Sequence, residues 1–74
     1  MAKLAPIRPR ELFKILAQLG FMLKRQRGSH TIWAHPDGRT TVVPVHGAEE
    51  ISRGLLRQIL RDVALEPEEF ERMR

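Results

Sequence analysis

The chain has 74 residues, 42% of them apolar and 30% charged, which leaves room for one core at most and excludes a disordered polymer. It has no cysteine, so a disulfide framework, a thiolate zinc site and a thiol nucleophile are all excluded. The net charge of +4 is unevenly spread: residues 1–39 hold eight bases and two acids, residues 40–74 five bases and seven acids.

Residues 1–7 are expected to be a flexible tail in front of one domain spanning residues 1–74. Over residues 9–19, Leu12, Ile15, Leu16 and Leu19 recur at the spacing of an amphipathic helix. Pro9 suits its first position and Gly20 the left-handed residue past its end, after which Phe21 folds back onto Leu16. Two strands follow, over residues 21–26 and 30–35, separated by a turn at Arg27-Gly28-Ser29. His35-Pro36-Asp37-Gly38 is a second turn, because Pro presets φ, Asp bonds its own backbone and Gly accepts positive φ. A third strand covers residues 39–45, and Pro44 in it suits an edge. A second helix begins after the capping hydroxyl of Ser52, with Ile51 and Leu56 as a hydrophobic staple and Leu55, Leu56, Ile59, Leu60 and Val63 as its apolar stripe. A short last helix opens at Pro67 with Leu65 and Phe70 at staple spacing. The order α-β-β-β-α plus a C-terminal helix defines an α+β fold: a three-stranded antiparallel meander with two helices on one face and the other face wet.

The basic surface suits either a polyanionic partner, through release of condensed counterions, or simple solubility. No apolar run approaches a membrane span and the N-terminus lacks a signal-peptide h-region, so a cytoplasmic location with no membrane partner is expected. His30 and His35 are an odd number of residues apart on one regular strand and point to opposite faces, which argues against a shared metal. No metal or cofactor is expected. His35, beside Pro36, reads as an exposed polar residue, and His46 is ambiguous. His30 follows Gly28-Ser29 with Lys24, Arg25 and Arg27 just upstream, and it reads either as a hydrogen-bonded strand histidine or as a general base near a bound phosphate. Arg53, Arg57 and Arg61 share one face of the second helix, where they straddle phosphates or pair with Asp62 and the C-terminal glutamates. Trp33 reads as core.

Gly20-Phe21, Lys24-Arg25-Gln26-Arg27-Gly28-Ser29-His30, His35-Pro36-Asp37-Gly38, Val43-Pro44-Val45-His46, Gly54-Leu55 and Ile59-Leu60-Arg61 together give a resemblance covering nearly the whole chain. The sequence resembles the HicA (YcfA-like) toxin family. The resemblance implies a double-stranded-RNA-binding-domain-like fold, cleavage of messenger RNA, and neutralisation by a HicB-type antitoxin. It places the family's catalytic histidine at His30 and matches its Pro-x-His motif to Pro44 and His46. Beside His30, the expected RNA-binding residues are Lys24, Arg25, Arg27, Gly28, Ser29, His46, Arg53 and Arg57. The chain departs from the family in having Gly54-Leu55-Leu56 where Gly-Thr-Leu is usual, and Ala64 where the helix usually ends in Gly. A non-catalytic double-stranded-RNA-binding module and a purely protein-binding subunit are the alternative readings.

Overall fold

Helix α1 (Pro9–Gln18) begins at its proline and buries Leu12, Ile15 and Leu16, the stripe its sequence spacing predicts. It ends in a Schellman turn: Gly20 at φ +95 donates to the Ala17 carbonyl at 3.0 Å and Phe21 to that of Leu16 at 2.9 Å. The computed structural model describes residues 3–74; Met1 and Ala2, part of the expected tail, lie outside the described residues. From Leu4 onward that expectation is corrected. Leu4 and Ile7 are fully buried, and Ile7 exchanges backbone hydrogen bonds of 3.1 and 2.7 Å with Ile51. Arg74, at the other end of the chain, donates from its guanidinium to the Ala5 and Pro6 carbonyls and reaches Glu11. Two buried apolar side chains and a bridged backbone hold this segment against the core.

Strands β1 (Met22–Arg27), β2 (His30–Ala34) and β3 (Thr40–Pro44) form an antiparallel sheet in the order β1-β2-β3. Alternation in β2 and β3 turns Thr31, Trp33, Thr41 and Val43 to the buried side. The two threonines on this side are satisfied: Thr31 Oγ1 donates to the Val43 carbonyl at 2.7 Å and accepts from Trp33 Nε1 at 3.1 Å, and Thr41 Oγ1 donates to Asp62 at 3.0 Å. Trp33 is core, stacked at 4.9 Å on Phe13 of α1. The helices cover β2 and β3 only, so every residue of β1 is exposed, including Leu23 opposite Trp33.

Helix α2 (Arg53–Asp62) is capped by the Ser52 hydroxyl, which accepts from the Leu55 N–H at 3.3 Å, and the staple pair Ile51 and Leu56 is buried. It ends in a second Schellman turn, with Leu65 donating to Leu60 and Ala64 to Arg61, and the left-handed residue is Ala64 at φ +56. Helix α3 (Pro67–Met73) adds Phe70, fully buried, to the core. The observed architecture is the expected α-β-β-β-α with a C-terminal helix.

Candidate active site

His30 is positioned by the tight turn that precedes it. Gly28 at φ +56, with Ser29 at negative φ, gives the pattern of a type II′ hairpin turn, whose twist matches the strands it joins. A Cβ at Gly28 would meet nothing within 4 Å, so the backbone angle and not crowding calls for glycine. The Gln26 amide braces the turn by donating to the Gly28 carbonyl at 3.0 Å, and the Val45 N–H donates to the Ser29 carbonyl at 2.6 Å.

His30 thereby becomes the first residue of the central strand, paired with Arg27 on one side and Pro44 on the other. It lies on the face opposite Thr31 and Trp33, the open face of the sheet, and is exposed. The next row on this face is Arg25, Ile32 and Val42, and the third is Met22, Ala34 and Thr40. Directly paired side chains lie about 5 Å apart at Cβ and diagonal ones about 7–8 Å, so Arg27 flanks the imidazole and Arg25 stands one row away. No acid occupies any of these rows. Among the described residues no side chain hydrogen-bonds the His30 ring, which leaves both nitrogens open to solvent or ligand.

A β-bulge between Leu23 and Arg25 sets this arrangement. Lys24 is the extra residue, and because it interrupts the alternation, Met22, Arg25 and Arg27 all share the open face while Leu23 lies on the Trp33 side of the sheet, beyond the reach of the helices. Gly28 and Ser29 form the turn at the His30 end of the hairpin, whereas Lys24 lies at the bulge, opposite Trp33 and Ile32.

The remaining expected site residues lie elsewhere. His46 follows β3 and lines a hollow of about 210 Å³ with Pro44, the β3 residue paired with His30, and with Glu49 and Glu50. Arg53 and Arg57 are exposed on α2. At 100° per residue, Leu55, Gln58 and Asp62 form the flank that meets β3, and Arg53, Arg57 and Arg61 the opposite flank. Arg57 and Arg61 line a separate groove of about 440 Å³ beside Glu66 and Pro67. Asp62 is engaged by Thr41 and Gln58, and none of these arginines makes an ion pair within 4.0 Å among the described residues. The register thus puts Arg27 beside His30, Arg25 one row away, Gly28 and Ser29 in the turn before it and Lys24 beyond Arg25 at the bulge, while Arg53 and Arg57 lie on α2.

His35 is not the exposed residue its place beside Pro36 suggests. Its side chain is half-buried, its Nε2 lies 3.1 Å from the Leu19 carbonyl, and its ring meets Phe21 edge-on at 5.1 Å. Arg39 is also structural: it donates to Asp37 and to the Val63 carbonyl and lies over the Phe21 ring. Asp37 consequently titrates below its ordinary value, chiefly through the Arg39 side-chain hydrogen bond and next through the Arg39 N–H. Among the described residues there is no group of three or more His, Asp or Glu placed to hold a metal ion, and no helix is long and apolar enough to cross a membrane.

Residues 9–65 match the family model of the HicA toxin of bacterial toxin–antitoxin systems. The chain belongs to the HicA toxin family, and so is the toxin of a toxin–antitoxin pair with an antitoxin as partner. No curated protein matches it.

Proposed function

We propose that this toxin is a metal-independent endoribonuclease that cleaves messenger RNA in the cytoplasm, with His30 as general base. His30 Nε2 or Nδ1 takes the proton from a ribose 2′-hydroxyl, whose oxygen bonds to the adjacent phosphorus as the bond to the 5′-oxygen breaks. The 5′-oxygen leaves with a proton from solvent, and the products are a 2′,3′-cyclic phosphate and a 5′-hydroxyl. Arg27, Arg25 and Lys24 hold the scissile phosphate and stabilise charge developing on its oxygens, while the Gly28-Ser29 turn lets the backbone approach. Arg53, Arg57 and His46 contact RNA beyond the reacting nucleotides. A HicB-type antitoxin neutralises the toxin by covering the same face.

The observation that carries this reading is an exposed imidazole with both nitrogens open, flanked by Arg27 on an acid-free sheet face. The exposed Met22 and Val42 on that face also suit burial under a protein partner. The test compares wild type with His30→Ala on labelled RNA and its DNA counterpart in excess chelator. The expected result is cleavage of RNA alone, ending in cyclic phosphate and absent from the variant. Because His30 is exposed, the variant should keep its stability within about 0.5 kcal/mol and retain RNA binding. Cleavage by His30→Ala at the wild-type rate would remove His30 from the mechanism; salt-sensitive RNA binding without cleavage by either protein would make this a binding module.

A further inference from the structure

A cleft of about 460 Å³ opens where α1 begins and the chain leaves β3, lined by Arg8, Arg10, Phe13, Val45, Gly47 and Ala48. The mechanism above makes no use of it. Its volume falls within the range of small-ligand sites, about 300–1,000 Å³. One wall is continuous with the candidate active site, since the Val45 N–H bonds the carbonyl of Ser29, the residue before His30. Phe13 packs on Trp33, on the helix-covered face of the sheet, whereas His30 lies on the open face. A strand with its phosphate at His30 therefore reaches the cleft by turning around the Gly28-Ser29 end.

The lining has the chemistry of a nucleotide site. Phe13 is half-buried, packs on Trp33 with ring centroids 4.9 Å apart and planes tilted by 33°, and lines the cleft. Arg8 and Arg10 are exposed and make no ion pair within 4.0 Å among the described residues, and no acid lines the cleft. At the rim, a Cβ on Gly47 would meet nothing within 4 Å, so the mouth is open. An aromatic residue and two unpaired arginines lining one cleft match a base with its phosphate, because stacking takes the π-face and the arginines take the charge. An apolar ligand would leave both arginines without a counter-charge.

We infer that this cleft is a base-binding subsite for the nucleotide next to the scissile phosphate, with the base stacked on Phe13 and a phosphate held by Arg8 and Arg10. It rests on the endoribonuclease reading and adds a specificity determinant to it. The test has two arms, run on wild type, Phe13→Leu, Arg10→Gln and Ala48→Trp, the last of which fills the cleft without removing a core contact. In the first arm, cleavage sites are mapped on a mixed-sequence RNA; the variants should lose the base preference at one flanking position and raise KM about tenfold while kcat changes less. In the second arm, a single-stranded oligoribonucleotide carrying 2-aminopurine is titrated into each protein on a His30→Ala background; stacking should quench its fluorescence with Phe13 present and not with Phe13→Leu. Wild-type base preference and quenching retained in folded Phe13→Leu and Ala48→Trp would overturn the subsite and leave the nuclease standing. Quenching that depends on Phe13, with no cleavage by wild type, would overturn the nuclease and leave the nucleotide site standing.

Discussion

The Asp37 carboxylate braces the turn between β2 and β3: it accepts from the Arg39 N–H at 3.1 Å and from Arg39 Nε at 2.9 Å. Both bonds favour the ionised form and lower its pKa, with slight desolvation acting the other way. A depressed carboxyl stabilises the folded state above the unfolded-state pKa of about 3.9 and loses that contribution as pH falls through the lower folded value. Asp37→Asn should therefore be less stable than wild type from neutral pH down to about pH 5, and the gap should close below about pH 4. Denaturant unfolding of both proteins across that range checks it; a gap that stays constant to pH 2 would assign the loss to something other than ionisation. His35 beside it acts through the same turn. Its Nε2 reaches the Leu19 carbonyl, while its Nδ1 accepts the Asp37 N–H at 3.1 Å and lies 3.0 Å from Asp37 Oδ1. Arg39 was legible as a base but not as a structural one, because its partners Asp37, Phe21 and Val63 come from three separate stretches of chain.

Both long helices end in the same turn with different residues at the left-handed position, and this gives opposite predictions for one substitution type. At Gly20 an added Cβ would fall 2.9 Å from His35 Nε2. Gly20→Ala should cost roughly 2–3 kcal/mol, from left-handed backbone strain plus the hydrogen bond lost when the imidazole moves. At Ala64 the strain is already present, so Ala64→Gly should stabilise by about 0.5–1 kcal/mol and raise Tm by roughly 2–8 °C. Thermal unfolding of both variants tests the pair, and an Ala64→Gly protein no more stable than wild type would contradict it. The helices, turns and caps were readable in the sequence because each depends on residues a turn apart: Leu12 to Leu19, Ser52 before Leu55, Pro36 to Gly38. The bulge at Lys24 was not, since alternation along residues 22–27 has no signal for an extra residue until the partner strand fixes the register. Nor was the seating of residues 4–7, whose partners Ile51 and Arg74 are far away in sequence. The motif around His30 was legible as a string, whereas the separation of Arg53 and Arg57 from it follows from which flank of α2 meets β3.

At the scale of the whole molecule, the sheet and helix layers make a slab with Cα extents of 34 × 30 × 17 Å, and two sets of its cations, neither in an ion pair among the described residues, lie apart on it. Lys24, Arg25 and Arg27 belong to the hairpin that carries His30, and Arg53, Arg57 and Arg61 to the flank of α2 turned away from β3. Strand β1 stands clear of the helix layer, so the first set is open from both sides of the sheet. On the proposed nuclease reading, a short RNA on the sheet face meets the first set and not the second, which only a longer one reaches. Each phosphate contact on a single strand contributes about 0.7 to the slope of log K against log salt. Replacing Lys24, Arg25 and Arg27 by Gln should thus reduce the slope by about 2 for short and long RNA alike, and should also suppress cleavage. Replacing Arg53 and Arg57 should reduce it by about 1.4 for a long RNA and leave a short oligonucleotide unaffected. Salt titrations of binding at two RNA lengths, on a His30→Ala background to prevent cleavage, separate the cases. If the α2 pair changes the slope equally at both lengths, the two surfaces act as one, and the RNA path must cross the helix layer even for the nucleotides at His30.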